Sequence, residues 1–276
     1  SGSKAPKVSF PTPLSVKKTQ SAILVAGKGP VFGGNQQIKF EYQSYNAGTG
    51  KLLQGTSWNG TDPVTQVIQP PTAKDSANFC DALAGAREGS VVATLFSAKE
   101  SHGGKAYASQ GIGKKDALMF IFKLLRVDLA KATGDEKPAQ DGFPQVVSDA
   151  NGVPGLVMQN WDASAAPADF KAETLIEGHG ATVNLNDYVT VHYSGFVWNS
   201  THDKFDSSWD KGTPATFQLK TGALIPGFIK AIVGQKVGSR VVTILPPSYG
   251  YGASGAGSIP ANATIIFVID ILGKGQ

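Results

Sequence analysis

The sequence predicts an α+β architecture of two similar domains, each a curved antiparallel sheet, or half-barrel, wrapped around one short helix. Three observations carry this. The 276 residues exceed what one small domain needs. Strand-like segments recur in two ordered copies at an offset close to 150 residues. Each copy has room for one short helix, which cannot cover a flat sheet on both faces and so calls for a curved one.

The elements follow in order. Gly27-Lys28-Gly29 falls on Gly178-His179-Gly180. From there Ile38-Lys39-Phe40-Glu41-Tyr42 lies on Val189-Thr190-Val191-His192-Tyr193 without a gap, and both alternate as strands do. Ser57-Trp58-Asn59 matches Ser208-Trp209-Asp210. Residues 79–95 (FCDALAGAREGSVVATL) match 228–244 (FIKAIVGQKVGSRVVTI), each reading as a short helix, a glycine-bounded turn and a strand. The closing strands pair residues 119–125 (MFIFKLL) with 266–272 (IFVIDIL). Between the copies, residues 130–142 (AKATGDEKPAQDG) are polar, mixed in charge and broken by Pro138. They read as a linker, which gives domains at 1–128 and 143–276 joined by 129–142.

Hydrophobic residues make up 41% and charged residues 17% of the chain, with 33 Gly and 16 Pro. That balance fits a globular, turn-rich protein and not a disordered chain or a helical bundle. Residues 1–128 hold 15 basic against 8 acidic side chains, and residues 129–276 hold 10 against 13. The basic half has no arginine-rich run, so it reads as a solvated surface and nucleic acid is not expected as a partner. Cys80 is the single cysteine, which rules out an internal disulfide and a zinc or redox pair; it reads as a small buried apolar residue. His102, His179, His192 and His202 are scattered, so no metal site is expected. No apolar run reaches transmembrane length.

The second copy carries Val191-His192-Tyr193-Ser194-Gly195, then Lys204-Phe205-Asp206-Ser207-Ser208, then Leu224-Ile225-Pro226-Gly227-Phe228. Tyr249-Gly250-Tyr251-Gly252 follows, and then Ile259-Pro260 ahead of Ala263-Thr264-Ile265-Ile266-Phe267. Taken singly, these aromatics are ordinary core residues and Asp206 an ordinary turn or capping residue. In this order and spacing, over roughly residues 170–272, the set resembles the FKBP-type peptidyl-prolyl cis/trans isomerases. The resemblance implies an apolar cleft between helix and sheet that accepts a prolyl residue. It assigns catalytic positions to Tyr193, Phe205, Asp206, Ile225 and Tyr251, and substrate-binding positions to Leu224, Phe228, Ile259 and Phe267. By the same resemblance the Ile225 backbone N–H and the Tyr251 hydroxyl donate to substrate carbonyls, while Asp206 lies beside the carbonyl that rotates. Phe228 stands where the best-known members have tryptophan, which implies a deeper or looser pocket. Lys211 stands where an arginine often pairs with the aspartate, and Ala215 where an aromatic often walls the cleft.

The expected function is acceleration of X-Pro isomerisation in protein folding, with no cofactor. The expected partners are proline-containing polypeptides and macrolide immunosuppressant-type ligands. The alternative is a non-catalytic chaperone or proline-peptide binding module using the same cleft; Asp206 and Tyr251, which apolar capture does not need, favour catalysis. In the front copy Tyr42, Phe79 and Phe120 persist, but Phe205-Asp206 falls on Gln54-Gly55 and residues 73–78 replace the Leu-Ile-Pro-Gly approach. Tyr107 stands alone where Tyr249-Gly250-Tyr251-Gly252 would be, and nothing corresponds to Ile259-Pro260. The front copy is therefore expected to keep the fold and lack the activity. A monomer is expected, because each copy can close its own core. The composition resembles exported prokaryotic members of the family, often lipid-anchored, so a cell-envelope or extracellular location is expected.

Overall fold

A computed structural model describes residues 4–72, 76–138, 141–157, 166–198 and 204–275. His202, residues 73–75 of the front-copy approach and residues 139–140 of the linker lie outside them. The chain forms two compact units, Ser1–Asp128 and Leu129–Gln276.

In the first unit, β1 (Gln20–Val25), β2 (Gln36–Asn46), β3 (Leu52–Gly55), β4 (Val64–Ile68), β5 (Val91–Phe96) and β6 (Leu118–Val127) build one antiparallel sheet in the order β1-β5-β6-β2-β3, with β4 also on β2. Helix α1 (Phe79–Leu83) closes its inner face over Phe40, Phe122 and Leu124. Its start is fixed by a capping box, in which the Asn78 side chain accepts from the Cys80 N–H at 2.8 Å and Asp81 accepts from the Asn78 N–H at 3.0 Å. Cys80 is buried in this core, where burial pushes its thiol pKa up. A second short helix, α2 (Ala98–His102), follows β5.

The second unit repeats the plan with β10 (Lys171–Gly178), β11 (Tyr188–Val197), β12 (Lys204–Ser207), β13 (Ala215–Gln218), α3 (Pro226–Ile232), β14 (Arg240–Leu245) and β15 (Ile265–Lys274). Pro226 occupies the first turn of α3, where its missing N–H costs nothing. Before these come β7 (Gly134–Glu136) and the hairpin β8 (Gln145–Ser148) with β9 (Pro154–Val157). The main sheet runs β12-β11-β15-β14-β10-β7, with β13 also on β11.

The duplication extends to irregularities. The β2–β6 register slips between Lys39 and Phe40, as that of β11–β15 does between Thr190 and Val191. The β1–β5 register slips between Ile23 and Val25, as that of β10–β14 does between Thr174 and Ile176. Shared bulges are features of a fold rather than accidents of one copy. Gly27 and Gly178 also hold the same close approach: a Cβ there would lie 2.1 Å from the Glu88 carbonyl oxygen and 2.3 Å from the Val237 one.

The stretch expected as a linker is instead part of the second unit. β7 pairs with β10, and the Thr133 N–H donates to the Gly238 carbonyl at 2.9 Å. The Ala132 N–H donates to Asp270 at 2.8 Å. Asp270 is itself locked in a buried two-point pair with Arg240, at 2.5 and 2.7 Å. Arg240 also reaches Ser148 and the Gly152 carbonyl in the β8–β9 hairpin. That hairpin covers the outer sheet face, where Phe143, Val146 and Leu156 pack on Val242, Ile244, Ile266 and Val268. Among the described residues no helix is long and apolar enough to cross a membrane.

Candidate functional site

The inner face of the second sheet and the start of α3 bring a ring of aromatic side chains together. β11 contributes Tyr193, β12 Phe205, β15 Phe267 and α3 Phe228. Phe228 meets Phe267 edge-on at 5.4 Å and Tyr193 at 6.1 Å; Phe205 meets Phe267 at 5.5 Å and Tyr251 at 6.2 Å. These T-shaped contacts set the positive edge of one ring on the negative face of the next. The network depends on Gly195, which lies across from both Asp206 and Phe267 in the sheet. A Cβ at 195 would sit 2.5 Å from the Phe205 ring and 2.7 Å from the Phe267 ring, so only glycine leaves room for both.

Asp206 stands at the rim and both its oxygens are engaged. The Tyr193 hydroxyl donates to Oδ2 at 2.5 Å and the Lys211 ammonium to Oδ1 at 2.5 Å. Burial opposes ionisation of this carboxyl, but the Lys211 and Tyr193 donors outweigh it and hold the pKa below its ordinary value. Burial, and then the bond to Asp206, push the Tyr193 hydroxyl pKa well up. Burial and the Asp206 charge do the same for Tyr251. The site therefore holds a carboxylate beside two protonated phenols at neutral pH. Among the described residues, nothing accepts a hydrogen bond from the Tyr251 hydroxyl or the Ile225 N–H.

Behind the ring, the Ser208 hydroxyl accepts from the Tyr193 backbone N–H and pairs with His192 Nδ1, each at 2.8 Å. The buried His192 ring stacks on Trp209 at 3.9 Å, and burial lowers its pKa to about 4. It is a neutral structural residue. Among the described residues no group of three or more His, Cys, Asp or Glu could hold a metal ion.

The structure brings the sequence-derived residues into one place. Tyr193, Phe228, Ile259 and Phe267 are buried in the core of the second unit, and Phe205, Leu224, Ile225 and Tyr251 pack against it. Leu224 also borders a separate 440 Å³ hollow with Pro226, Ile229 and Val233. Lys211 makes the ion pair that an arginine often makes. One residue went unnoticed in the sequence: Phe217 on β13 packs edge-on against Phe228 at 5.7 Å and lies 6.2 Å from the Tyr193 ring. It supplies an aromatic wall two positions beyond Ala215.

The first unit keeps part of this arrangement. Tyr42, Phe79 and Phe120 hold a matching triangle, with Phe79 to Phe120 at 5.4 Å and Tyr42 to Phe120 at 6.0 Å. Two expectations need correction. Gln54 lies across from Ser44, and Ser44 across from Phe120, so Leu53-Gln54, not Gln54-Gly55, occupies the place of Phe205-Asp206. The same bulge follows the pairing in both domains, and the offset arises because six residues separate Tyr45 from Leu52 where seven separate Phe196 from Lys204. Ile112 does correspond to Ile259: each precedes its phenylalanine by the same interval, closes a small antiparallel bridge and is 7% exposed. Only the proline is lost, to Gly113. Tyr107, 43% exposed, packs on His102. Cavities of 520 and 560 Å³ remain, both bordered by Leu118 and Phe120.

Residues 180–272 match the model of the family described as FKBP-type peptidyl-prolyl cis-trans isomerase. The chain is 41% identical over 108 residues to an FK506-binding protein of Streptomyces anulatus, covering 38% of this chain and 86% of that one. It is 45% identical over 95 residues to the FKBP-type peptidyl-prolyl cis-trans isomerase FkpA of Aeromonas hydrophila, covering 34% of each. Among solved structures, AtFKBP13 aligns at 27% identity over 41% of this chain and 98% of that one, with a TM-score of 0.36.

Proposed function

The chain belongs to the FKBP-type peptidyl-prolyl cis-trans isomerase family, and from that premise we propose that it accelerates X-Pro isomerisation in polypeptides at the aromatic cleft of its second domain. The observation that carries the proposal is a combination of groups: a fixed Asp206 carboxylate, with a Tyr251 hydroxyl and an Ile225 N–H that have no partner among the described residues, around a wall of Phe205, Phe228 and Phe267.

Rotation about X-Pro must break amide resonance, at a barrier of about 18–20 kcal/mol, which takes tens of seconds uncatalysed. No bond is made or cut. The planar amide is more dipolar than the twisted one, so an apolar wall in place of water disfavours the ground state more than the transition state, and only that difference speeds the reaction. The Ile225 N–H and Tyr251 hydroxyl hold the substrate carbonyls. Asp206, pinned by Tyr193 and Lys211, faces the rotating carbonyl with a fixed charge and exchanges no proton. Macrolides of the FK506 type, whose name the Streptomyces relative carries, are proposed to enter the same cleft. The first domain lacks the carboxylate and the phenol and is proposed to be inactive.

The test is turnover of a Phe-Pro tetrapeptide by the intact chain, with Tyr251→Phe and Asp206→Ala compared after circular dichroism confirms folding. Acceleration that falls in both variants supports the proposal. A folded wild type without acceleration leaves the cleft a proline-peptide binding module.

A further inference from the structure

The two domains differ sharply at one sheet edge. In the second domain β10 is not the last strand, because β7 lies along it, with Glu136 opposite Ile176, Asp135 opposite Glu177 and Gly134 opposite Gly178. The Lys137 N–H donates to the Leu175 carbonyl at 2.9 Å, and the Leu175 side chain packs with Phe143, Val146 and Leu156. In the first domain the matching strand is β1, and the shared bulge makes Leu24 the counterpart of Leu175. Here β1 is, among the described residues, the terminal strand of its sheet. Ile23, Leu24 and Val25 are 52%, 59% and 54% exposed. On the outer face of the neighbouring strand, Ala93 and Leu95, opposite Ala22 and Gln20, are only half-buried, where Val242 and Ile244 of the second domain are fully buried. The chain leading into β1 runs elsewhere: the Leu14 N–H bonds to the Ala47 carbonyl and Phe10 packs on Tyr45.

A terminal strand presents unpaired N–H and C=O groups, and here they lie beside bare apolar side chains, which is the template for strand addition. We propose that β1 receives an extended segment of another polypeptide, apolar in its centre and acidic at its flanks, as an added strand. The acidic flanks follow from charge. Lys17 and Lys18 precede the strand and Lys28 follows it, all exposed, and the strand that covers this edge in the second domain carries Asp135 and Glu136. A second copy of the chain fits poorly, because antiparallel self-pairing about Ala22 and Ile23 sets Lys17 against Lys28, and opposed like charges destabilise a strand pair. The surface uses no residue of the proposed cleft, so it stands whether or not the second domain turns over.

The probe is a fluorescein-labelled peptide with alternating Val and Thr in its centre and Asp-Glu at both ends, titrated against the intact chain by anisotropy. Saturable binding is expected. It should weaken as salt is raised, and by about tenfold or more when Leu24 and Val25 are both changed to Glu, exposed positions where folding is retained. Asp206→Ala should leave it unchanged. Amide hydrogen exchange should slow across residues 20–27 when peptide is bound. Any of four results overturns the proposal: no saturable binding at millimolar peptide, binding indifferent to the Leu24 and Val25 changes, binding lost in Asp206→Ala, or self-association of the chain that Leu24→Glu abolishes.

Discussion

Gly195→Ser drives a Cβ to within 2.5 Å of Phe205 Cζ and 2.7 Å of Phe267 Cε1, where carbon atoms settle at about 3.5–4.0 Å. One ring or the backbone must therefore move by about 1 Å. Neither ring is loose, since Phe267 is wedged against Phe228 at 5.4 Å and Tyr193 at 6.0 Å, and Phe205 against Tyr251 at 6.2 Å. Overpacking of this kind costs about 1–3 kcal/mol, and displacing a cleft wall by about 1 Å can cost up to about 100-fold in rate. The expected result is a lower urea midpoint with an unchanged slope, and tetrapeptide isomerisation slowed by at least about tenfold. The first domain shows how the clash is relieved, because Ser44 holds the same register there with Leu53 in the place of Phe205. Adding Phe205→Leu to Gly195→Ser should therefore recover stability, with a coupling of about 1–2 kcal/mol, while the rate stays low for want of the Phe205 wall. A Gly195→Ser protein with wild-type midpoint and rate would refute the placement of the two rings.

Further expectations concern charge. His192 is held neutral with its pKa lowered to about 4, against about 6.5 in an unfolded chain. The unfolded state alone takes up a proton between those values, so the stability it contributes is full above pH 6.5 and is lost as pH falls towards 4, by about 3 kcal/mol in all. Denaturant midpoints from pH 7 to 4.5 in wild type and His192→Gln should diverge accordingly, and parallel curves would contradict this. Asp270→Ala strands the buried Arg240 and should cost about 3–5 kcal/mol, with faster amide exchange at Ala132 and Thr133; unchanged exchange there would show that the segment is not held by this pair. Lys211→Met removes an exposed partner of Asp206 and should cost under about 1 kcal/mol of stability. Its effect on kcat/KM should be smaller than that of Asp206→Ala and reversed in Lys211→Arg, which a purely local packing effect would not produce.

Much of the fold was legible because its signals are local. Strand alternation, the paired glycines and the Leu-Ile-Pro-Gly approach to α3 each dictate backbone geometry within a few residues. The nine residues expected at the site stand out in the sequence only jointly, since a buried Phe or Ile looks the same in a core as in a wall, and the structure gathers them in and around one core. What escaped depends on register and on distant partners. A comparison run ungapped from Tyr42 and Tyr193 cannot see that six residues separate Tyr45 from Leu52 while seven separate Phe196 from Lys204, which misplaces Leu53-Gln54 by one residue; Ile112 is legible only by counting back from Phe120 as Ile259 is from Phe267. Phe217 had a readable signal, the alternation of Ala215 and Phe217 along β13 continued by Leu219 just beyond it. The Gly134–Glu136 strand carries no apolar alternation, so its polar sequence reads as a linker. Its place is fixed from outside, by β10 and by the Arg240–Asp270 pair.

The account rests most heavily on turnover belonging to the second cleft, and the sheet register supplies a matched pair of substitutions to test it. Asp206 and Gln54 occupy equivalent places in the two domains. The decisive measurement is kcat/KM for a Phe-Pro tetrapeptide in the intact chain, comparing wild type, Asp206→Ala and Gln54→Ala, all confirmed folded. Loss of about tenfold or more, equivalent to about 1.4 kcal/mol of transition-state stabilisation, is predicted in Asp206→Ala alone, with Gln54→Ala at the wild-type rate. Equal rates in wild type and Asp206→Ala, or a loss confined to Gln54→Ala, would contradict it.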